Sequence, residues 1–288
     1  MVWLQQTATN WDLWRDKVKE ILVNGQWQGG ADPVTFDGAK EITKMYLAGL
    51  DYVILPVSTD KSEMEVKKNG ILGFNALHRQ MQSVYERLRE DAPDKVFVLG
   101  GGCDADVPAI VYLSEKYQSD LTVIWLDAHG DLNTPGESAS SLFYGMPLRS
   151  VMDDQCFGLL GNRCPLRISQ VIHIGGRDFD EAESAFIKES GMAAYSVQEI
   201  RSDSDLIHRI IEGIHSKHIY VHLDLDVIDP RDLPNTPLPV DDGLSGKEVY
   251  DILTVASDRL AGLGICEYAP SEAGNALVEK LIRFGVAL

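Results

Sequence analysis

The stretch Thr122–Asn133, TVIWLDAHGDLN, decides how the chain is read. It opens as an apolar, β-branched run, the pattern of a buried strand. It then presents Asp127, His129 and Asp131 at alternate positions. In extended chain, residues two apart face the same way, so the spacing predicts that these side chains converge at the strand's carboxyl end. Two carboxylates and an imidazole make a hard donor set suited to Mn²⁺ or a similar divalent ion. Ile219–Pro230, IYVHLDLDVIDP, repeats the device, with an apolar strand delivering Asp224 and Asp226 on one face. Four carboxylates from two strand ends repel strongly in a low-dielectric cleft unless a cation sits among them. Together the two stretches predict a metal site, for two ions, built by two strands of one sheet.

Outward from this pair, Val96–Leu99 is a third apolar strand and runs into Gly100-Gly101-Gly102-Cys103-Asp104. Glycines at a strand's end let the backbone turn sharply beside a site. The dinucleotide fingerprint G-x-G-x-x-G is absent. Val171–Ile174 ends at GGRDFD, Gly175–Asp180, and Gly262–Cys266 ends at EYAP, Glu267–Pro270. Apolar periodicity predicts helices over Phe74–Arg89, Val107–Tyr117, Glu181–Glu189, Leu206–Ser216, Ser245–Leu260 and Asn275–Phe284. Towards the start, Trp11, Trp14, Val18, Ile21 and Leu22 have helical spacing, so Trp11–Val23 is read as an amphipathic helix. Gln26–Pro33 is a glycine-rich turn or a lip of the site, Asp37–Leu50 a helix and Tyr52–Val57 a short strand; Ser141–Met152 is read as helical. Strands alternating with helices across a dozen or more residues mean parallel βαβ units. The expected fold is α/β: a single domain over 1–288, with a parallel sheet flanked by helices on both faces in three layers. The chemistry-bearing residues fall just after strand carboxyl ends, where open α/β sheets bind ligands.

The composition narrows the function. A net charge of −18 argues against nucleic acid and against an anionic membrane surface as partners. No segment approaches the roughly 20 apolar residues that span a bilayer, and Met1–Thr7 lacks the pattern of a signal peptide. Cys103, Cys156, Cys164 and Cys266 are too few in 288 residues to suggest a disulfide framework, so a reducing cytoplasm is expected.

In order along the chain, GGGCD, DAHGDLN, DLDVIDP and EYAP resemble the signature of the ureohydrolases, the family of arginase, agmatinase, guanidino-acid hydrolases and formimidoylglutamase. The resemblance spans about Val96 to Pro270. It implies a parallel sheet flanked by helices, assembly as homo-oligomers (trimers or hexamers), and hydrolysis of guanidinium or formimino C–N bonds with two Mn²⁺ ions per chain. Carried over position by position, Asp127 and Asp224 would bridge the ions. His129 and Asp226 would complete one, and Asp131 with Cys103 the other. Cys103 stands where the family usually has histidine; thiolate is softer than imidazole, and Asp104, one residue on, is an alternative ligand. Glu267 matches the acid that meets the substrate's guanidinium. Asn133 and Ser140 match contacts to an α-carboxylate, and Asp180 one to an α-ammonium. Tyr144 stands where many members place histidine, and a phenol with a pKa of about 10 can serve there only by hydrogen bonding. The candidate catalytic residues are therefore Asp131, Glu267 and Tyr144.

Each assignment has a plainer counterpart. Free cysteines are often simply buried, Tyr144 could be a core aromatic, and the acidic run Asp178–Glu183 could be a solvated helix start. His222 shares the parity of Asp224 and Asp226, yet it and His173 read as satisfied inner histidines. Three functions compete: a binuclear metallohydrolase of a small guanidino or formimino compound, a catalytically silent relative retained as a binding or oligomeric scaffold, and a two-metal hydrolase of another bond such as an amide or phosphate ester, with no basic group near the motifs to favour phosphate.

Overall fold

Leu121–Leu126 is buried at all six positions, which is what a strand covered on both faces of a parallel sheet requires. The structure, a computed structural model, describes residues 19–161, 164–271 and 274–288. Its strands are β1 (Lys19–Asn24), β2 (Val53–Ile54), β3 (Lys67–Lys68), β4 (Ile71–Leu72), β5 (Lys95–Gly100), β6 (Leu121–Leu126), β7 (Val171–Ile174), β8 (Ala193–Tyr195), β9 (His218–Asp224) and β10 (Leu260–Cys266). Eight of them form one sheet in the order β2-β1-β5-β10-β9-β6-β7-β8, and β3 with β4 makes a small separate pair. Every pairing in the large sheet is parallel.

The helices are α1 (Val34–Tyr46), α2 (Phe74–Asp91), α3 (Val107–Tyr117), α4 (Pro147–Ser150), α5 (Glu181–Ser190), α6 (Val197–Ser202), α7 (Leu206–Glu212), α8 (Gly246–Ala256) and α9 (Ala276–Val286). Leu77 and Met81 of α2 and Ile110 of α3 pack with Trp125 and Tyr220 on one face of the sheet. Ile42 of α1, Ile210 of α7, Val249 of α8 and Leu281 of α9 pack with Ile124 and Val221 on the other. The result is the expected three-layer α/β arrangement. The central strands β5, β10, β9 and β6 are neighbours, so the four motifs at their carboxyl ends meet on one edge.

The differences from expectation lie where local pattern is weak. The helix expected over Trp11–Val23 is wrong at its described end, where Lys19–Asn24 is β1; residues 11–18 lie outside the described residues. Ile21, Leu22 and Val23 are all buried, and the run pairs with β5 from Lys19↔Lys95 onward; this continuous burial is a strand property, not a helix stripe. The helix expected over Ser141–Met152 contracts to a 3₁₀ turn, Phe143–Gly145, and the four-residue α4. Ser141 adopts φ 60° and Pro147 can only open a helix. β8 and α6 are short elements with no periodic signal long enough to read. Among the described residues no helix is long and apolar enough to cross a membrane.

Helix α1 meets the site through Gly38. A Cβ there would lie 1.8 Å from the carbonyl oxygen of Tyr268, just after β10. Alanine in place of glycine inside a helix ordinarily stabilises by about 1 kcal/mol. Here the sign should reverse: Gly38→Ala is expected to cost about 1–3 kcal/mol by overpacking, read as a lower urea midpoint. A rise in the midpoint would show that α1 does not press on this turn.

Candidate metal centre

β6 ends at Leu126, so the pleat does not by itself aim the motif that follows. Asp127 lies at the strand's lip, where its Oδ2 accepts Trp125 Nε1–H at 2.9 Å and its Oδ1 accepts the His129 backbone N–H at 2.6 Å. His129 Nδ1 stands 2.9 Å from Asp226 Oδ2 and 3.6 Å from Asp127 Oδ1. Asp131 is brought back to the cluster by a left-handed backbone, φ 55°, a conformation that costs a non-glycine residue on the order of 1–3 kcal/mol. β9 delivers its pair by a turn as well: Asp224 Oδ1 accepts the Asp226 backbone N–H at 2.7 Å, capping the 3₁₀ turn Leu225–Val227. The convergence inferred from alternation is therefore present, but turns and one positive φ produce it.

The third strand end supplies Cys103, whose Sγ donates to Asp224 Oδ2 at 2.8 Å. Its backbone N–H donates to Glu267 Oε1 at 3.0 Å. Ligand atoms of Asp127, His129 and Asp226 lie within 4.8 Å of one another, as do those of Cys103, Asp127, Asp131 and His222, and those of Cys103, Asp224 and Glu267. Asp104 belongs to none of these groups. Its carboxylate turns to the Gln26 amide and fills the space beside Gly29, where a Cβ would sit 2.4 Å from Oδ1. The Gln26–Pro33 turn thus packs directly on the glycine-rich turn, and Gly29 O also accepts the Tyr144 backbone N–H at 3.0 Å.

The charge balance is strained. Burial, then the neighbouring carboxylates, pushes Asp131 and Asp224 well above the usual carboxylate range. Burial would lower His129, but Asp127 and Asp226 outweigh it and raise the imidazole to about 12. Glu267 is pushed up to about 8 by burial and by Asp226, Asp104 and Asp127. Asp131 Oδ2 is buried without a hydrogen-bond partner.

Farther along the rim, Asn133 Nδ2 donates to Asp180 Oδ2 at 2.7 Å, and Asp180 caps α5 in a reciprocal box with Glu183. Ser140 is exposed and Tyr144 half-buried. Sequence reasoning passed over four residues that support this edge. Arg177 donates to the carbonyls of Asp226 (2.8 Å), Val240 (2.7 Å), Asp241 (2.9 Å) and Gly175 (3.0 Å). Glu183 accepts the Leu132 backbone N–H at 3.1 Å and fills the space beside Gly130; its D-x-x-E spacing from Asp180 was a readable cap signal. Asp106 and Cys266 flank His222 (2.9 Å and 3.6 Å) and carry no motif of their own.

A parallel sheet that gathers carboxylates, an imidazole and a thiol at adjacent strand ends defines an α/β protein with a hydrolase-like site. Comparison with known proteins places it further: the chain belongs to the arginase family of hydrolases, whose family model matches residues 36–282. It is 33% identical over 244 residues to the arginase of Staphylococcus aureus strain MSSA476, covering 77% of this chain and 80% of that protein. It is 30% identical over 242 residues to the arginase of Bacillus subtilis strain 168, covering 80% and 78%. The solved arginase of Entamoeba histolytica, in complex with L-ornithine, shares the fold with a TM-score of 0.79, covering 93% of this chain and 97% of that chain at 18% identity.

The Arg177 clamp has a direct test. Lysine keeps the charge but cannot reproduce a planar fork that reaches five carbonyls, the fifth being Val227 O at 3.4 Å. Arg177→Lys is expected to destabilise by about 3 kcal/mol, the scale of lost charge-assisted hydrogen bonds. An unchanged denaturation midpoint would show that the loops after β7 and β9 hold without it.

Proposed function

We propose that this chain hydrolyses a guanidino or formimino C–N bond with two Mn²⁺ ions bound, acting on a substrate that carries an amino-acid group at its other end. The observation that carries this reading is Asp131 Oδ2, buried without a partner inside a group of acids that burial holds above their ordinary range. Such a donor set fits a divalent cation, which supplies both the missing partner and the missing positive charge. Asp127, His129 and Asp226 would hold one ion. Cys103 and Asp131, with Asp127, would hold the other, and Asp224 lies between Cys103 and Asp226. When bound, the ions supply Lewis acidity that lowers the pKa of water and polarises the scissile carbon.

The chain's own residues do the rest. Glu267 lies against Cys103, where a carboxylate can pair with two N–H groups of a planar amidinium and fix its plane. Its φ of 60° points to a side chain placed for function at some backbone cost. With Asp131 Oδ2 turned to the ion, the other carboxylate oxygen of Asp131 would hold a proton while the C–N bond breaks. Asn133 and Ser140 offer neutral donors for a carboxylate, and Asp180 offers an anion for an ammonium. An amino-acid substrate would take the Asn133 amide away from Asp180. The Tyr144 hydroxyl serves as a hydrogen-bonding group.

Four measurements test this. Calorimetric titration of the metal-free protein is expected to show two Mn²⁺ per chain. With Mn²⁺ present, kcat/KM should be higher for arginine than for agmatine by about tenfold or more, the scale of one hydrogen-bonded carboxylate. A preference for agmatine rejects the amino-acid end. Glu267→Gln should lower kcat/KM by about 100-fold, the loss of a charge-assisted hydrogen-bond pair. Release of neither urea, ammonia nor formamide from any guanidino or formimino compound would reject the enzyme and favour the silent scaffold.

A further inference from the structure

The cluster has a second side. Cys103 and His222 border the carboxylates, but both also face Cys266 at the end of β10. The Cys103 and Cys266 sulfurs are 3.7 Å apart, and Cys266 Sγ is 3.6 Å from His222 Nε2. All three ligand atoms lie within 4.8 Å of one another, and the residues are 3%, 3% and 0% exposed. We propose that Cys103, Cys266 and His222 form a thiolate–imidazole site for a Zn²⁺-class ion, adjoining the carboxylate cluster and sharing Cys103 with it.

The spacing matches the chemistry. Zn–S bonds of about 2.3 Å and Zn–N bonds of about 2.0–2.1 Å in a tetrahedron give S···S edges of about 3.8 Å and S···N edges of about 3.6 Å. The Cys103–Cys266 and Cys266–His222 separations match two of those edges, and the third pair lies within 4.8 Å. Asp224 Oδ2 accepts the Cys103 thiol at 2.8 Å but belongs to the carboxylate side of the cluster, so the fourth position of this site is left to water. Two sulfurs and a nitrogen favour Zn²⁺ over Mn²⁺, which prefers oxygen donors.

The support behind the histidine is also built. His222 Nδ1 is engaged by Asp106 Oδ2 at 2.9 Å, which leaves Nε2 as the ligating atom. Asp106 Oδ2 also accepts the Tyr220 hydroxyl at 3.0 Å. Trp125 stacks on the imidazole with ring centroids 3.5 Å apart and planes 9° from parallel, so the ring cannot turn. A carboxylate behind a ligating histidine is the usual outer support of a zinc site. Binding exchanges two S–H protons for one M²⁺, so the neutral thiol pair becomes a dithiolate and two protons are released. The inference stands on this geometry; it rests on the proposed reaction only for its consequence, that a soft ion here draws the Cys103 thiolate away from the half-site it would share with Asp131.

X-ray absorption of the wild-type chain loaded with one equivalent of Zn²⁺ needs no variant. Two sulfur scatterers at about 2.3 Å are expected; one or none overturns the site. Competition with a chromophoric chelator then measures affinity for Zn²⁺. Cys266→Ser should weaken it at least about tenfold and leave one sulfur scatterer, and Asp106→Asn should weaken it about 10–100-fold. Equal affinity in wild type and Cys266→Ser overturns the proposal. Amidine hydrolysis with Mn²⁺, measured on the same wild-type preparation, separates the two readings. A two-sulfur spectrum without any turnover rejects the proposed reaction and leaves this site standing, while turnover with no sulfur at Zn²⁺ does the reverse.

Discussion

Repulsion among Asp127, Asp131, Asp224 and Asp226 is the constraint around which this edge of the sheet is arranged. All four are at most 3% exposed, and β6 and β9 are adjacent strands. Water cannot screen them, so their charge must be met by protons, fixed dipoles or cations. The protein supplies part of this locally. Backbone N–H groups of Ala128, His129 and Asp226 point at carboxylate oxygens, and His129 lies between Asp127 and Asp226. Arg177 acts one layer out, gripping the carbonyls of the loops so that their dipoles do not add to the negative field. What protein atoms leave unmet is concentrated at Asp131.

Much of this was legible because the informative unit is short and local. A buried parallel strand followed by spaced acids needs no long-range knowledge, and six strands and the order of their motifs could be read from apolar runs alone. β1 was misread because Ile21 and Leu22 complete a helical spacing with Trp11, Trp14 and Val18. Only the pairing with β5 shows that the run is a strand, and register across 70 residues of intervening chain leaves no trace in a local window. The positive φ at Asp131 and Glu267 was equally hidden, since neither residue type announces it and both are held there by tertiary contacts. Asn133 and Asp180 were placed on the same rim from the family pattern, but their hydrogen bond to each other could only come from the structure.

The supporting layer was illegible for a different reason: it depends on residues that are absent. Gly262 and Gly264 sit inside β10, where glycine weakens a strand and leaves nothing to pack. Their register partners are Tyr220 and His222. A Cβ on Gly262 would lie 2.4 Å from the Tyr220 ring, and one on Gly264 would lie 2.0 Å from Asp106 Oδ2. The two missing side chains are therefore the space in which Tyr220 leans across the sheet and Asp106 reaches His222. With that space filled, the Asp106 carboxylate would be displaced, His222 would lose the partner that fixes its free nitrogen, and Cys103 and Cys266 would face an imidazole of undefined orientation. Glycines that look like a defect in a core strand are what allow three strand ends and a turn to present sulfur, nitrogen and oxygen ligands at adjoining positions. The balance between a hard and a soft ion at Cys103 is thus set two strands away from the carboxylates that first draw attention.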